Sequence, residues 1–171
     1  FKEYIIFMPI AKIENNTNYT FGVWKIEENI DQLLNHLNPT KKEKLEISRL
    51  KNINRKKQNI AARIILNQLA NKKIKLNYSN VGVPYCSLFE HISISHSGDY
   101  SMVASSGDKI GIDIQCLKKN IKNISSKYIN EKEKLYSKNN IIKLHFIWCA
   151  KEAIYKTLNG ISCSFKKDIY I

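Results

Sequence analysis

The stretch HISISHSGDYSMVASSGDKIGIDIQ (residues 91–115) holds three β-like runs, at 91–95, 100–105 and 109–115, joined by the polar turns HSGD and SSGD. In the last run Ile110, Ile112 and Ile114 take one face of a strand, while Gly111, Asp113 and Gln115 take the other. The plain reading is a half-buried strand with its polar face in water. Aspartate, however, disfavours strand interiors, and a glycine two residues earlier leaves room for the close approach of a ligand. That combination suits a hard cation held by a carboxylate and shared with phosphate oxygens, the usual setting of Mg²⁺.

Upstream, EYIIF (3–7) and FGVWKI (21–26) read as strands around the polar turn ENNTN. Helical spacing covers 27–37, with Ile30, Leu33, Leu34 and Leu37 on one face. Asn38-Pro39 reads as an N-cap with proline at N1, opening a helix through TKKEKLEISRL. A further helix covers about 55–70, and short β-like runs follow at 74–78 and 83–89. From 117 the pattern returns to helices, with a long one at about 140–158 and Gly160 as its C′ stop. Strands, helices, strands, helices, strands predict an α+β chain. A join near 105–108 divides it into an N-terminal half, 1–107, and a C-terminal half, 108–171, of similar construction.

The long helix carries WCAKEAIYKT (148–157). Leu144, Ile147, Trp148, Ile154, Tyr155 and Leu158 form its apolar stripe, with Glu152 and Lys156 together at the edge, on the side of His145. An i,i+4 Glu–Lys pair is ordinarily helix support worth a few tenths of a kcal/mol. A boundary between core and cleft is also where an acid is desolvated and tuned as a base. Lys151 falls inside the stripe, so it must snorkel or meet a buried anion. Ser95-His96-Ser97-Gly98 is a turn able to bind an anion, or a capped turn satisfied locally. A Ser–His nucleophile pair is disfavoured there, because adjacent strand residues point to opposite faces. Lys41 and Lys44, three apart at a helix start, are a solvated charge run or a phosphate clamp.

With 171 residues, 43% of them hydrophobic, the chain is long enough for one domain or two small halves sharing a core. Four dispersed cysteines and four histidines without ligand spacing indicate neither a disulfide framework nor a transition-metal site. No apolar run approaches the roughly 18 residues of a membrane span, and YIIFMPIA (4–11) lacks a signal-peptide pattern. A cytoplasmic protein without membrane contact is expected. The net charge of +13 points to an anionic partner, although the lysine, isoleucine and asparagine usage also fits an AT-rich coding bias. The chain opens on Phe1 and closes on KKDIYI, an unfinished strand, so one or both ends are expected to be missing.

In order along the chain, NPTKKEK, VGVPY, HISISHSGDY, KIGIDIQ and WCAKEAIYK together resemble the 4′-phosphopantetheinyl transferases of the single-chain, two-half type that activates peptide synthetases and other carrier proteins. GIDI followed about 35 residues later by W-x-x-KEA-x-x-K, with SHSG just upstream, is the specific part. The resemblance implies two pseudo-symmetric α+β halves with antiparallel sheets and a cofactor cleft between them. It also implies a reaction: Mg²⁺-dependent transfer of phosphopantetheine from coenzyme A to a serine of an acidic apo acyl or peptidyl carrier protein, releasing 3′,5′-ADP. Asp113 and Glu152 match the family's Mg²⁺ carboxylates, and Glu152 also its base. Lys156 matches the lysine on the pyrophosphate, and Lys151 stands beside it as a further candidate for the cofactor. Lys41, Lys44 and His96 match side chains around the 3′-phosphate, Ser95 a phosphate contact, and Gly82-Val83-Pro84 the turn against the adenine. A monomer is expected.

Three departures accompany the match. Gln115 stands where many relatives have a second acid; its amide oxygen is a possible metal ligand, and weaker Mg²⁺ affinity is expected. Val83 replaces the usual lysine of G-K-P, and the family's last strands are absent after Ile171. Two other readings stand beside this one. A degenerate member would bind coenzyme A or a carrier protein without turnover. A basic nucleic-acid-binding protein would need aromatics interleaved with its lysines, which KKEK and NRKKQN lack, so no nucleic-acid partner is expected.

Overall fold

The computed structural model describes residues 10–171; the strand expected at 3–7 lies outside them. The chain forms β1 (Ile10–Asn15), β2 (Tyr19–Lys25), α1 (Ile30–Leu37), α2 (Lys41–Ser48) and α3 (Ile53–Leu69). Then come β3 (Asn77–Tyr78), β4 (Pro84–Tyr85), β5 (His91–Ser97) and β6 (Tyr100–Ser106). The last part holds α4 (Ile121–Ile124), a 3₁₀ turn at Ser125–Lys127, α5 (Glu131–Ser137) and α6 (Ile141–Thr157). It is a mixed α+β structure. One antiparallel sheet runs in the order β1-β2-β6-β5, and β3 pairs with β4.

β5 and β6 form a hairpin around Gly98, whose φ of 54° lies in the left-handed region that glycine enters without strain. α3 crosses the sheet and buries Ile60, Ile65 and Leu66 against Trp24 and Val103. Gly22 permits that approach, since a Cβ there would lie 2.7 Å from Ile65 Cγ2. Arg63 of α3 is buried and pairs with Glu46 at 2.9 Å and Glu43 at 3.5 Å, which ties α2 to α3. A second apolar cluster, Ile121, Tyr128, Ile129, Leu144 and Ile147, lies under α6, with Trp148 and Phe165 packed against it.

Several boundaries differ from the sequence reading. Asn38 does not cap α2. It closes α1 in a left-handed conformation (φ 46°), and Thr40 is the N-cap, exchanging a capping box with Glu43. The Thr-x-x-Glu spacing satisfies two amides at once, which Asn38-Pro39 cannot do. At the other end of the chain, Leu158 caps α6 and Asn159 (φ 51°), not Gly160 (φ 91°), takes the C′ position.

The largest difference is at 109–115, which forms no strand. Among the described residues, 108–171 contain helices, turns and extended chain only. The amides of Ile112, Ile114 and Cys116 donate to the hydroxyls of Ser93, Ser95 and Ser97 instead of to the carbonyls of a neighbouring strand. The room beside Gly111 is not open to a ligand either. A Cβ there would sit 1.8 Å from the Ala153 carbonyl oxygen, so glycine serves the close approach of this segment to α6. No helix among the described residues is long and apolar enough to cross a membrane.

Candidate functional site

Asp113 stands at the junction of the sheet and α6. Its side chain is only 3% exposed, and its acceptors are engaged from three directions. Oδ1 accepts from Ser95 Oγ at 2.7 Å and from Lys156 Nζ at 2.9 Å, and Oδ2 accepts from Gln115 Nε2 at 3.3 Å. Lys156 Nζ also donates to the Ile112 carbonyl at 2.7 Å. A buried carboxylate is tolerable only with such partners.

Glu152 lies one turn before Lys156 on α6, half-buried, and its carboxyl is raised above the ordinary value. Burial is the main cause; the Asp113 charge adds to it and Lys156 opposes it. Cys149 lies a turn earlier, against Asp113. Burial first, then the Asp113 carboxylate, push its thiol up to about 12, so it stays protonated. Cys149 is absent from the sequence-based site, although three- and four-residue spacing puts Cys149, Glu152 and Lys156 on one helical face.

A cavity of about 140 Å³ opens where α3 meets the other face of β5, lined by Arg55, Gln58, Asn59, Tyr78, Gly82, Pro84 and His96 among others. Arg55 Nη1 donates to His96 Nδ1 at 2.8 Å; a guanidinium only donates, so Nε2 carries the imidazole proton. Burial, then Arg55, hold His96 below its ordinary value. Gly82 (φ 82°) and Pro84 reach this cavity, whereas Val83 lines the neighbouring depression with Lys109, Thr157 and Asn159. Arg55 and Tyr78 carry no motif and were not among the sequence-based candidates.

Ser95 and His96 therefore lie on opposite sides of β5, Ser95 toward Asp113 and His96 toward α3. Lys41 and Lys44 project from the start of α2 as exposed side chains. Lys151 is not at a cofactor surface. It is fully buried, with its ammonium on Glu133 (2.7 Å) and on the Tyr128 and Phe165 carbonyls. It has met the buried anion that its place in the apolar stripe required, and its three protons are used there. His145 likewise serves structure, accepting the Lys118 amide and bonding the Ile141 carbonyl.

Among the described residues no three His, Cys, Asp or Glu side chains gather as a cation cage. What suits a hard cation is the Asp113–Glu152 pair: two carboxylates close enough that one raises the other, with the Lys156 ammonium on Asp113. The Gln115 amide has its oxygen on Ser97 Oγ (3.3 Å) and its nitrogen toward Asp113, which makes it a donor to the carboxylate in this arrangement. The arrangement can neutralise a phosphate, hold a cation with open positions and take up a proton at Glu152. No family model matches the chain, and no curated protein matches it.

Proposed function

We propose that the protein transfers 4′-phosphopantetheine from coenzyme A to a serine hydroxyl of an acidic apo carrier protein, with Mg²⁺. The observation that carries this reading is the meeting of Asp113, Glu152 and Lys156 beside Ser95, with a cavity holding Arg55 and His96 on the other face of β5. The cofactor would lie along the seam between the sheet and α6. Asp113 and Glu152 would hold the cation, which supplies charge neutralisation on the pyrophosphate.

Glu152 takes the proton of the carrier serine as its oxygen bonds to the pantetheine-bearing phosphorus. The phosphoanhydride bond breaks, and 3′,5′-ADP leaves with the electron pair. Lys156 neutralises the developing charge on the leaving oxygens. Arg55 and His96 fit the 3′-phosphate and Gly82-Pro84 the adenine. Lys41 and Lys44 do not line the cavity of Arg55 and His96, and only the resemblance supports their place at the 3′-phosphate. The positive net charge speeds encounter with an acidic carrier.

The test is incubation with an apo acyl carrier protein, coenzyme A and Mg²⁺, followed by intact mass of the carrier. A gain of about 340 Da, the phosphopantetheine increment of such a transfer, that disappears in Glu152→Ala is the expected result. Coenzyme A binding without a mass gain on any of several carriers would replace this reading with that of a binding protein lacking turnover.

A further inference from the structure

Three serines at alternate positions of β5 hold the Asp113 segment. Ser93, Ser95 and Ser97 are all buried, and their hydroxyls accept the amides of Ile112 (3.1 Å), Ile114 (3.2 Å) and Cys116 (2.9 Å). Each pair is separated by 19 residues, so the segment runs parallel to β5 in constant register. Side chains of a strand stand off its face, so this is pairing over a face, with hydroxyls in place of edge carbonyls. A hydroxyl accepting an amide still has a proton to give. Ser95 gives its own to Asp113 itself, and Ser97 gives its own to Gln115 Oε1 at 3.3 Å. That leaves the Gln115 amino group facing Asp113 Oδ2.

We propose that Ser97 is a positioning residue for Asp113: by accepting the Cys116 amide and donating to Gln115 Oε1, it orients the Gln115 amide so that its NH₂ group aims the carboxylate. An amide suits this relay and an acid does not. With Ser97 donating to one end, the other end must donate to Asp113, and an ionised glutamate has no proton for it. Gln115 is then a support of the metal-binding carboxylate in this chain, a role of the kind that outer hydrogen bonds play around ligands. The consequence for the reaction rests on the transferase reading; the relay itself does not.

The experiment compares the full chain with Ser97→Ala and Ser97→Thr. In Ser97→Ala the Cys116 amide is expected to exchange hydrogen about tenfold faster, while the core amides of α3 and β6 stay as in the parent. The Gln115 side-chain NH₂ resonances, held apart by the Asp113 bond in the parent, should move toward free-amide values. The transfer kcat should fall about tenfold with little change in KM for coenzyme A, as loss of an outer-shell bond does. Ser97→Thr keeps the hydroxyl and should restore both signals and rate. Unchanged Cys116 exchange and unchanged Gln115 resonances in Ser97→Ala would overturn the relay. Altered resonances with parental kcat would overturn its positioning role. If the parent transfers nothing, the transferase reading falls, and the amide signals alone decide whether the relay exists.

Discussion

Lys156 Nζ lies 2.9 Å from Asp113 Oδ1, although 43 residues separate them. The carboxylate is enclosed, 3% exposed, while the lysine side chain is 27% exposed and reaches it from the solvent side. An ion pair of this kind is replaceable. In the proposed reaction, a phosphate arriving from solvent would meet the lysine before the carboxylate.

Glu152 reports on that pair with a definite sign. Its carboxyl lies above the ordinary 4.5 because of burial and then Asp113, with Lys156 pulling the other way. Asp113→Asn should therefore lower the Glu152 pKa and Lys156→Met should raise it, read from the carbon-13 titration of the Glu152 carboxyl. Shifts of the same sign in both variants would refute the arrangement. A raised folded-state value also means that protonated Glu152 favours the folded state, and that this stability is lost as pH rises through the folded pKa. Glu152→Gln is expected to leave thermal stability at neutral pH equal or higher while abolishing transfer.

At the cavity, burial and then Arg55 hold His96 below 6.5. Removing the guanidinium in Arg55→Ala should bring the His96 pKa upward, toward that value, in a proton NMR titration. If the cavity receives the 3′-phosphate, the same variant should lose most of its preference for coenzyme A over dephospho-coenzyme A. A His96 pKa that stays put or falls would show that the two side chains do not meet in solution.

Gly111→Ala tests the contact of the Asp113 segment with α6. Its Cβ would press on the Ala153 carbonyl at 1.8 Å, and backbone on both sides leaves no flexible side chain to yield. Destabilisation of about 3 kcal/mol or more is expected, at the upper end of overpacking costs, together with loss of transfer. A parental urea midpoint and parental activity would place the segment elsewhere.

Lys151 and Glu133 are a fully enclosed pair, with side chains 0% and 2% exposed. Glu133 also accepts the Asn130 amide and the Ile171 amide, so it joins α5, α6 and the end of the chain. Lys151→Met leaves that carboxylate without its cation and should cost about 3–5 kcal/mol in urea unfolding. A change in coenzyme A affinity without any change in stability would return Lys151 to the cofactor.

The elements legible in the sequence are those whose signals are local. The helices expected at about 55–70 and 140–158 form at Ile53–Leu69 and Ile141–Thr157; in the second, Leu144, Ile147 and Lys151 are buried at three- and four-residue spacing, while Ile154 of the expected apolar stripe is exposed. The hairpin of β5 and β6 follows from its alternation and its Ser-Gly-Asp turn. The segment 109–115 has the same alternation and is no strand, since a period of two describes a chain able to pair but not what it pairs with. Asn38 shows a second limit: one residue had a claim to two helix ends, and the capping box at Thr40 decided it.

For the site, residue chemistry raised Asp113, Glu152, Lys156, Ser95, His96, Lys41 and Lys44, each beside a plain structural reading, and confined Lys151 to snorkelling or a buried anion; the roles of the site residues came from the resemblance. Periodicity put Glu152 and Lys156 on one edge of one helix. Only the tertiary structure decided that Lys156 meets Asp113, that Lys151 spends its charge on Glu133, that Arg55 faces His96, and that Gln115 turns its nitrogen rather than its oxygen toward the carboxylate. The division has a physical cause. Propensity, capping and periodicity act over a few residues, and a reader of the chain can sum them. Which charge neutralises which depends on distances through space, and those are set by how α3 and α6 bury their apolar faces.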